Sequence, residues 1–136
     1  MTIDHTESER HFELHLPVTQ DGQLITDLIA SASILSKQQV KQCLRNGAVW
    51  LEDNTGIHRV RRAKKQLKQG LVVHVYYDRA IQQQICPTAR LIADLGEYTV
   101  WEKPCGMYSQ GSRWADHCTI YRYAEAHLKP QRPAFL

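Results

Sequence analysis

The first third of the chain changes from alternating to helical spacing of its apolar residues. Residues 12–16 alternate between apolar and polar side chains, which predicts a short, half-buried strand. Apolar residues at helical spacing follow, so we expect a first helix over residues 22–32 with Asp21 as its N-cap. Residues 1–11 are polar, and we expect them to be disordered.

A second helix is predicted from stronger end signals. Ser36 with Gln39 three residues later is a capping-box sequence, and Gly47 is the type of residue that ends a helix. The positions that this helix would bury are Val40, Cys43 and Leu44.

Two runs rich in β-branched and aromatic residues complete a first unit. Residues 48–51 and 71–77 are predicted strands, separated by a turn and a basic run. Two helices packed on a small antiparallel sheet make a compact α+β domain over residues 12–78. Residues 79–88 have no clear period and are interpreted as a linker.

A second, smaller unit is expected over residues 89–136. Residues 90–94 and 97–102 flank a Leu-Gly turn and predict a hairpin. A loop follows, and then a helix that Asp116 would cap. One hairpin and one helix seldom bury enough apolar surface to be stable alone, so we expect this unit to pack on the first unit, to oligomerise, or to begin a larger domain.

Charge distinguishes the two parts of this 136-residue chain. The net charge is +3, but residues 37–68 carry nine Lys and Arg against two acids, which is +7. The remainder of the chain is −4. Such a concentrated block of positive charge indicates a polyanionic partner.

Nucleic acid is the polyanion that this pattern favours. Phosphate oxygens require several Lys and Arg donors within reach of one backbone, and a helix N-terminus adds neutral donors. The candidate RNA-binding residues are Ser36, Lys37, Lys41, Arg45, Arg59, Arg61, Arg62, Lys64 and Lys65. The strand aromatics Trp50, Tyr76 and Tyr77 are predicted to be core residues rather than base-stacking ones.

Other chemistry is less well supported by the sequence. Cys105 with His117 lacks a third group for nucleophilic catalysis, and Cys105, His117 and Cys118 lack metal-ligand spacing. We therefore predict neither a nucleophilic cysteine nor a metal site from these residues. The four cysteines form no close pair along the sequence, so reduced thiols in a cytoplasmic protein are expected. The sequence contains no apolar run of the roughly 20 residues that a membrane span needs.

The first unit resembles the RNA-binding domain named after small-subunit ribosomal protein four, the alpha-L motif. The resemblance rests on Leu24 and Leu28, Leu35-Ser36-Lys37, Val40 and Leu44, Asn46-Gly47-Ala48-Val49, and Gly70, Val73 and Val75. It departs from the pattern where Lys37 replaces an Arg, where Asn54-Thr55-Gly56 replaces a tighter turn, and where Leu71 replaces an Asp. The resemblance implies binding of structured RNA.

The second unit resembles the opening of the RluA-like pseudouridine synthases. Lys103, Pro104 and Gly106 match the Lys-Pro-x-Gly core, and residues 110–117 followed by an amphipathic helix are also similar. The resemblance implies isomerisation of uridine to pseudouridine in ribosomal or transfer RNA, without metal or organic cofactor.

The family's catalytic Asp lies in a His-Arg-Leu-Asp motif that does not occur in this sequence. We therefore expect residues 89–136 to be an incomplete catalytic domain and the chain to bind RNA without catalysis. Two alternatives remain: a free-standing RNA-binding or ribosome-associated module, and an adaptor whose basic surface meets an acidic protein.

Overall fold

The computed structural model describes residues 9–136, and it is an α+β fold. Over these residues the chain forms four helices and antiparallel sheets. The strands are β1 (His11–Pro17), β2 (Gln23–Leu24), β3 (Val49–Asp53), β4 (Gly56–Arg59), β5 (Gln66–Leu67), β6 (Val72–Asp78), β7 (Arg90–Asp94) and β8 (Thr99–Glu102). The helices are α1 (Ile25–Ala32), α2 (Lys37–Asn46), α3 (Arg79–Gln82) and α4 (Ile120–His127).

The chain divides into two compact units. The first ends at Gln83 and also includes Arg113–Ala115, whereas the second comprises Gln84–Ser112 and Asp116–Leu136. The prediction of disorder over residues 1–11 falls mostly on residues 1–8, which lie outside the described residues. Residues 9–11 correct it, because residues 9 and 10 are helical and His11 begins β1.

The main sheet of the first unit has the strand order β1-β6-β3-β4, and all its pairings are antiparallel. Val49 lies opposite Val75, and Leu51 opposite Val73. These four side chains are buried, and they alternate along their strands with less buried neighbours. One face of the sheet therefore forms the core together with α1 and α2, as the period-two pattern requires.

Helix α2 confirms the predicted end signals. The hydroxyl of Ser36 accepts a hydrogen bond from the Gln39 amide, and the Gln39 side chain accepts one from the Ser36 amide. Gly47 ends the helix with a left-handed φ of 87°. The three predicted apolar positions, Val40, Cys43 and Leu44, are buried.

The first helix begins later than predicted, and Asp21 does not cap it. Gln23–Leu24 pair with Gln66–Leu67 as a two-stranded sheet, so α1 begins only at Ile25. The carboxylate of Asp21 instead accepts a hydrogen bond from the Gln69 amide at 2.7 Å. A partner 48 residues away therefore replaces the local helix cap.

The predicted linker is partly wrong, because its first four residues form α3. The Asp78 carboxylate caps this helix by accepting from the Ile81 amide at 3.0 Å. Gln82 is buried, and its side-chain oxygen accepts from Asn46 on α2 at 2.9 Å. Residues 79–82 therefore belong to the first unit.

The second unit contains the predicted hairpin and helix. Strands β7 and β8 pair antiparallel with a register shift between Leu91 and Ala93. Thr119 caps α4 by accepting from the Arg122 amide, whereas Asp116, the predicted cap, is buried and accepts from the Tyr121 hydroxyl at 2.6 Å.

The expectation of four reduced cysteines is also corrected. Cys86 and Cys118 form a disulfide within the second unit, although 32 residues separate them. Cys43 and Cys105 are free thiols, the first buried and the second exposed. In the described part of the chain, no helix combines the length and apolar character needed to cross a bilayer.

Candidate nucleic-acid interface

Helix α2 presents three of the predicted cations along one edge. Lys37, Lys41 and Arg45 recur every four residues, and all three are exposed. At 1.5 Å per residue they span about 12 Å of helix. Lys37 is held by an ion pair with Asp27 on α1 at 3.2 Å, whereas Lys41 and Arg45 point cationic groups to solvent.

Two arginines of the β4–β5 segment lie against the end of α2. Arg59 donates from Nε to the carbonyl of Gly47 at 2.8 Å, and Arg61 donates from Nη1 to the carbonyl of Arg45 at 3.1 Å. Carbonyl groups at a helix C-terminus lack intrahelical partners and carry partial negative charge. The two guanidinium groups therefore join the β4–β5 segment to the helix edge.

The rest of this segment is held at both ends by backbone hydrogen bonds. The amide of Val60 donates to the carbonyl of Val49 at 3.0 Å, and the carbonyl of Lys65 accepts from the Ile25 amide at 3.0 Å. Between these anchors Arg62 and Lys64 are exposed. The segment thus extends the cationic edge of α2 toward the start of α1.

The nine predicted residues therefore fall on neighbouring elements of one unit, and we call them the basic surface. It comprises Ser36, Lys37, Lys41, Arg45, Arg59, Arg61, Arg62, Lys64 and Lys65. Their environments differ. Arg59, Arg61 and Lys65 are half-buried, and the guanidinium of Arg59 lies 4.3 Å from the ring centroid of Trp50. Arg59 and Arg61 thus position the segment as well as contributing charge.

Four exposed cations of the basic surface are not neutralised by an acid in the described part of the chain. Within residues 9–136, Lys41, Arg45, Arg62 and Lys64 make no ion pair. Because exposed cations crowded together repel one another, this arrangement favours a bound polyanion.

The two acids within residues 37–68 are occupied elsewhere. Glu52 contacts His74 at 3.2 Å on the sheet face remote from the helices. Hydrogen bonds from the Thr55 hydroxyl and amide hold the pKa of Asp53 below its usual range, so this carboxylate stays ionised in its own turn. Neither acid lies in an ion pair with the basic surface in the described part of the chain.

The second face of the main sheet carries an aromatic group that sequence reasoning did not find. Trp114 stacks on His11 with ring centroids 4.4 Å apart and meets Tyr76 edge-on at 5.6 Å. The indole N–H of Trp50 donates to the carbonyl of Arg113 at 3.0 Å. Trp50 and Tyr76 are half-buried on this face, while Tyr77 is buried in the core as predicted. The partners lie too far apart in the sequence for periodicity to indicate them.

Lys103, the first residue of the Lys-Pro-x-Gly match, makes a hydrogen bond within its own loop. Lys103 donates from Nζ to the carbonyl of Met107 at 2.8 Å, which closes the loop around Pro104 and Gly106. Nearby in the sequence, Cys105 is exposed. The loop is thus held by its own lysine.

The structure also assembles a cysteine and histidine cluster. The ligand atoms of Cys86, His117 and Cys118 all lie within 4.8 Å of one another. The sequence does not favour Cys105 with His117 and Cys118 as a metal site; the structure brings Cys86, not Cys105, to these two residues. Cys86 and His117 are 31 positions apart, which is too far for a local sequence motif to indicate the cluster.

Comparison with known proteins adds no relative: no family model, no curated protein and no solved structure matches the chain. Any functional assignment of this chain therefore rests on its α+β fold and on the basic surface.

Proposed function

We propose that the first unit binds structured RNA through the basic surface. The observation that carries the proposal is the set of four exposed cations, Lys41, Arg45, Arg62 and Lys64, which make no ion pair within residues 9–136. Four-residue spacing on α2 sets donors along a line, as contacts to successive phosphates require.

A rigid support for these donors favours binding of folded RNA. The capping box at Ser36 and the left-handed Gly47 define both ends of α2, and Arg61 ties the adjacent segment to Arg45. Double-stranded and folded RNA are recognised mainly by shape and backbone, which demands donors at set positions.

We further propose that this unit is an alpha-L domain and that the chain is related to the RluA-like pseudouridine synthases acting on ribosomal or transfer RNA in the cytoplasm. The sequence matches at Ser36-Lys37, Gly47 and Lys103-Pro104 support the relationship. The proposal for this chain is confined to binding, since the family's His-Arg-Leu-Asp motif does not occur in the sequence. A free-standing RNA-binding or ribosome-associated module is the alternative.

Filter binding of a labelled RNA hairpin across a salt series tests the proposal. The double variant Lys41→Glu/Arg62→Glu should bind more weakly, with the slope of log affinity against log salt reduced by about 1.4 to 1.8. Each lost phosphate contact removes roughly 0.7 to 0.9 from that slope. The matched control Arg79→Glu/Lys129→Glu makes the same charge change at exposed residues outside the basic surface.

Equal losses in the two double variants would show that only net charge matters and would contradict the proposal. A second experiment compares the affinity of the chain for polyglutamate with its affinity for RNA. An adaptor for acidic proteins should bind polyglutamate as tightly as it binds RNA. A tritium-release assay on uridine-labelled RNA separates binding from isomerisation; we expect no release.

A further inference from the structure

Cys86, His117 and Cys118 form a compact set of sulfur and nitrogen ligands in the second unit. Their ligand atoms lie within 4.8 Å of one another, and Cys118 is buried while the other two are half-buried. In the structure the two sulfurs are joined as a disulfide. The set combines two potential thiolates and one imidazole, the donors that zinc prefers in proteins.

The backbone around the cluster is well anchored. The carbonyl of Cys118 accepts from the Tyr108 amide at 2.9 Å, and the carbonyl of Tyr108 accepts from the Ile120 amide at 2.9 Å. The sulfur of Cys86 lies 3.6 Å from the carbonyl oxygen of His117. The backbone that carries Cys118 is therefore anchored to Tyr108 by hydrogen bonds other than the disulfide.

Cys118 directly precedes Thr119, the N-cap of the eight-residue helix α4. The thiolate is the form of cysteine that binds metals, so the disulfide must be reduced before Cys86 and Cys118 can act as ligands.

We propose that, when this disulfide is reduced, Cys86, His117 and Cys118 bind a thiophilic divalent cation of the Zn²⁺ class, with water as the fourth ligand. In a tetrahedral site with Zn–S distances of about 2.3 Å, the two sulfurs lie about 3.8 Å apart. Because the two sulfurs are bonded to each other in the structure, they must move apart on reduction to reach that separation, while the three ligand atoms already lie within 4.8 Å of one another. The disulfide and the metal site are mutually exclusive, since bonded sulfurs offer no thiolate.

The conversion balances with an ordinary small-molecule thiol as the reductant. Two thiol molecules supply two electrons and two protons, the Cys86–Cys118 bond breaks, and the small molecules leave as their own disulfide. Binding of the cation then releases both cysteine protons to solvent. This inference concerns the second unit and does not depend on RNA binding.

Titration of the full chain with Co²⁺ tests the inference. After reduction with a phosphine, the wild-type chain should bind one Co²⁺ and show thiolate-to-cobalt charge-transfer absorption, which Zn²⁺ should abolish. The same chain in its disulfide form should show no such absorption. Because both forms share one sequence, this comparison does not depend on how any variant folds.

Variants then identify the ligands. Cys86→Ser and His117→Ala should weaken Co²⁺ binding by more than about tenfold, since even the loss of an outer-shell partner costs that much. Cys105→Ser is the matched control, because Cys105 is an exposed cysteine outside the cluster. A reduced wild-type chain without thiolate-to-cobalt absorption would overturn the inference, as would equal binding by the oxidised chain or an equal loss in Cys105→Ser.

Discussion

Arg59 donates a hydrogen bond from Nε to the carbonyl oxygen of Gly47 at 2.8 Å. The same guanidinium lies 4.3 Å from the ring centroid of Trp50. Strand β4 is thereby connected both to the end of α2 and to its neighbouring strand β3. Arg59 thus joins α2 to the β4–β5 segment, the two parts of the chain that carry the basic surface. It therefore contributes to the stability of the fold as well as to the positive charge.

The structural contribution predicts a stability loss. Arg59→Ala should lower the free energy of unfolding by about 1 to 3 kcal/mol, since it removes a charged hydrogen bond and a cation–π contact. Arg62→Ala, which alters an exposed cation of the same segment, should change it by less than about 0.5 kcal/mol. Urea denaturation measures both. A similar midpoint for the two variants would contradict the assigned role of Arg59.

Replacing Gly47 with any residue that has a Cβ should destabilise the fold. Its φ of 87° lies in the left-handed region, which costs other residues roughly 1 to 2 kcal/mol. Gly47→Ala should lower the free energy of unfolding by about that amount, and Gly47→Asn by less because Asn tolerates this region better. Thermal denaturation ranks the variants; an Asn variant less stable than the Ala variant would refute the explanation.

The two free thiols should differ sharply in reactivity. Burial raises the pKa of Cys43 to about 12, so at pH 8 only about one molecule in ten thousand carries the reactive thiolate. Iodoacetamide should therefore label exposed Cys105 and leave Cys43 unmodified until urea unfolds the chain. Peptide mass spectrometry reads out the sites, with Cys105→Ser as the control that removes all labelling from the folded, disulfide-bonded chain.

Asp78 should make stability depend on acid pH. Burial acts to raise the pKa of Asp78, but hydrogen bonds from the Ile81 amide and His11 together hold it below its usual range. A carboxyl with a depressed folded-state pKa stabilises the fold above the unfolded value of about 3.9, and this contribution disappears as pH falls through the folded value.

Asp78→Ala should therefore cost about 1 kcal/mol of unfolding free energy at pH 7, the usual value of a lost N-cap. The difference from the wild type should shrink near pH 3. Chemical denaturation at the two pH values measures it. The comparison variant is Asp21→Ala, which removes another carboxylate that accepts a hydrogen bond from a backbone amide. A cost of Asp78→Ala that stays constant between pH 7 and pH 3 would disprove the linkage.

The elements of the first unit followed largely from the sequence. The capping box at Ser36 and Gln39, the terminal Gly47 and the buried face of α2 are set by contacts within one helix. Alternation placed β1, because a strand with one buried face imposes a period of two, and a run of β-branched and aromatic residues placed β6. The candidate cations of α2 could be predicted for the same reason, since their spacing depends only on helix geometry.

Tertiary structure decided which side chains meet across long stretches of chain. Asp21 bonds to Gln69 instead of capping α1, Arg59 reaches Gly47, and Cys86 joins Cys118. Each pairing brings together residues between 12 and 48 positions apart, and no local period records it. The sequence by itself therefore determined the main helices and strands, but not β2, β4, β5 or α3, and it determined the excess of positive charge. Only the folded chain, in which packing selects one set of distant contacts among many, assembled the basic surface and the cysteine–histidine cluster.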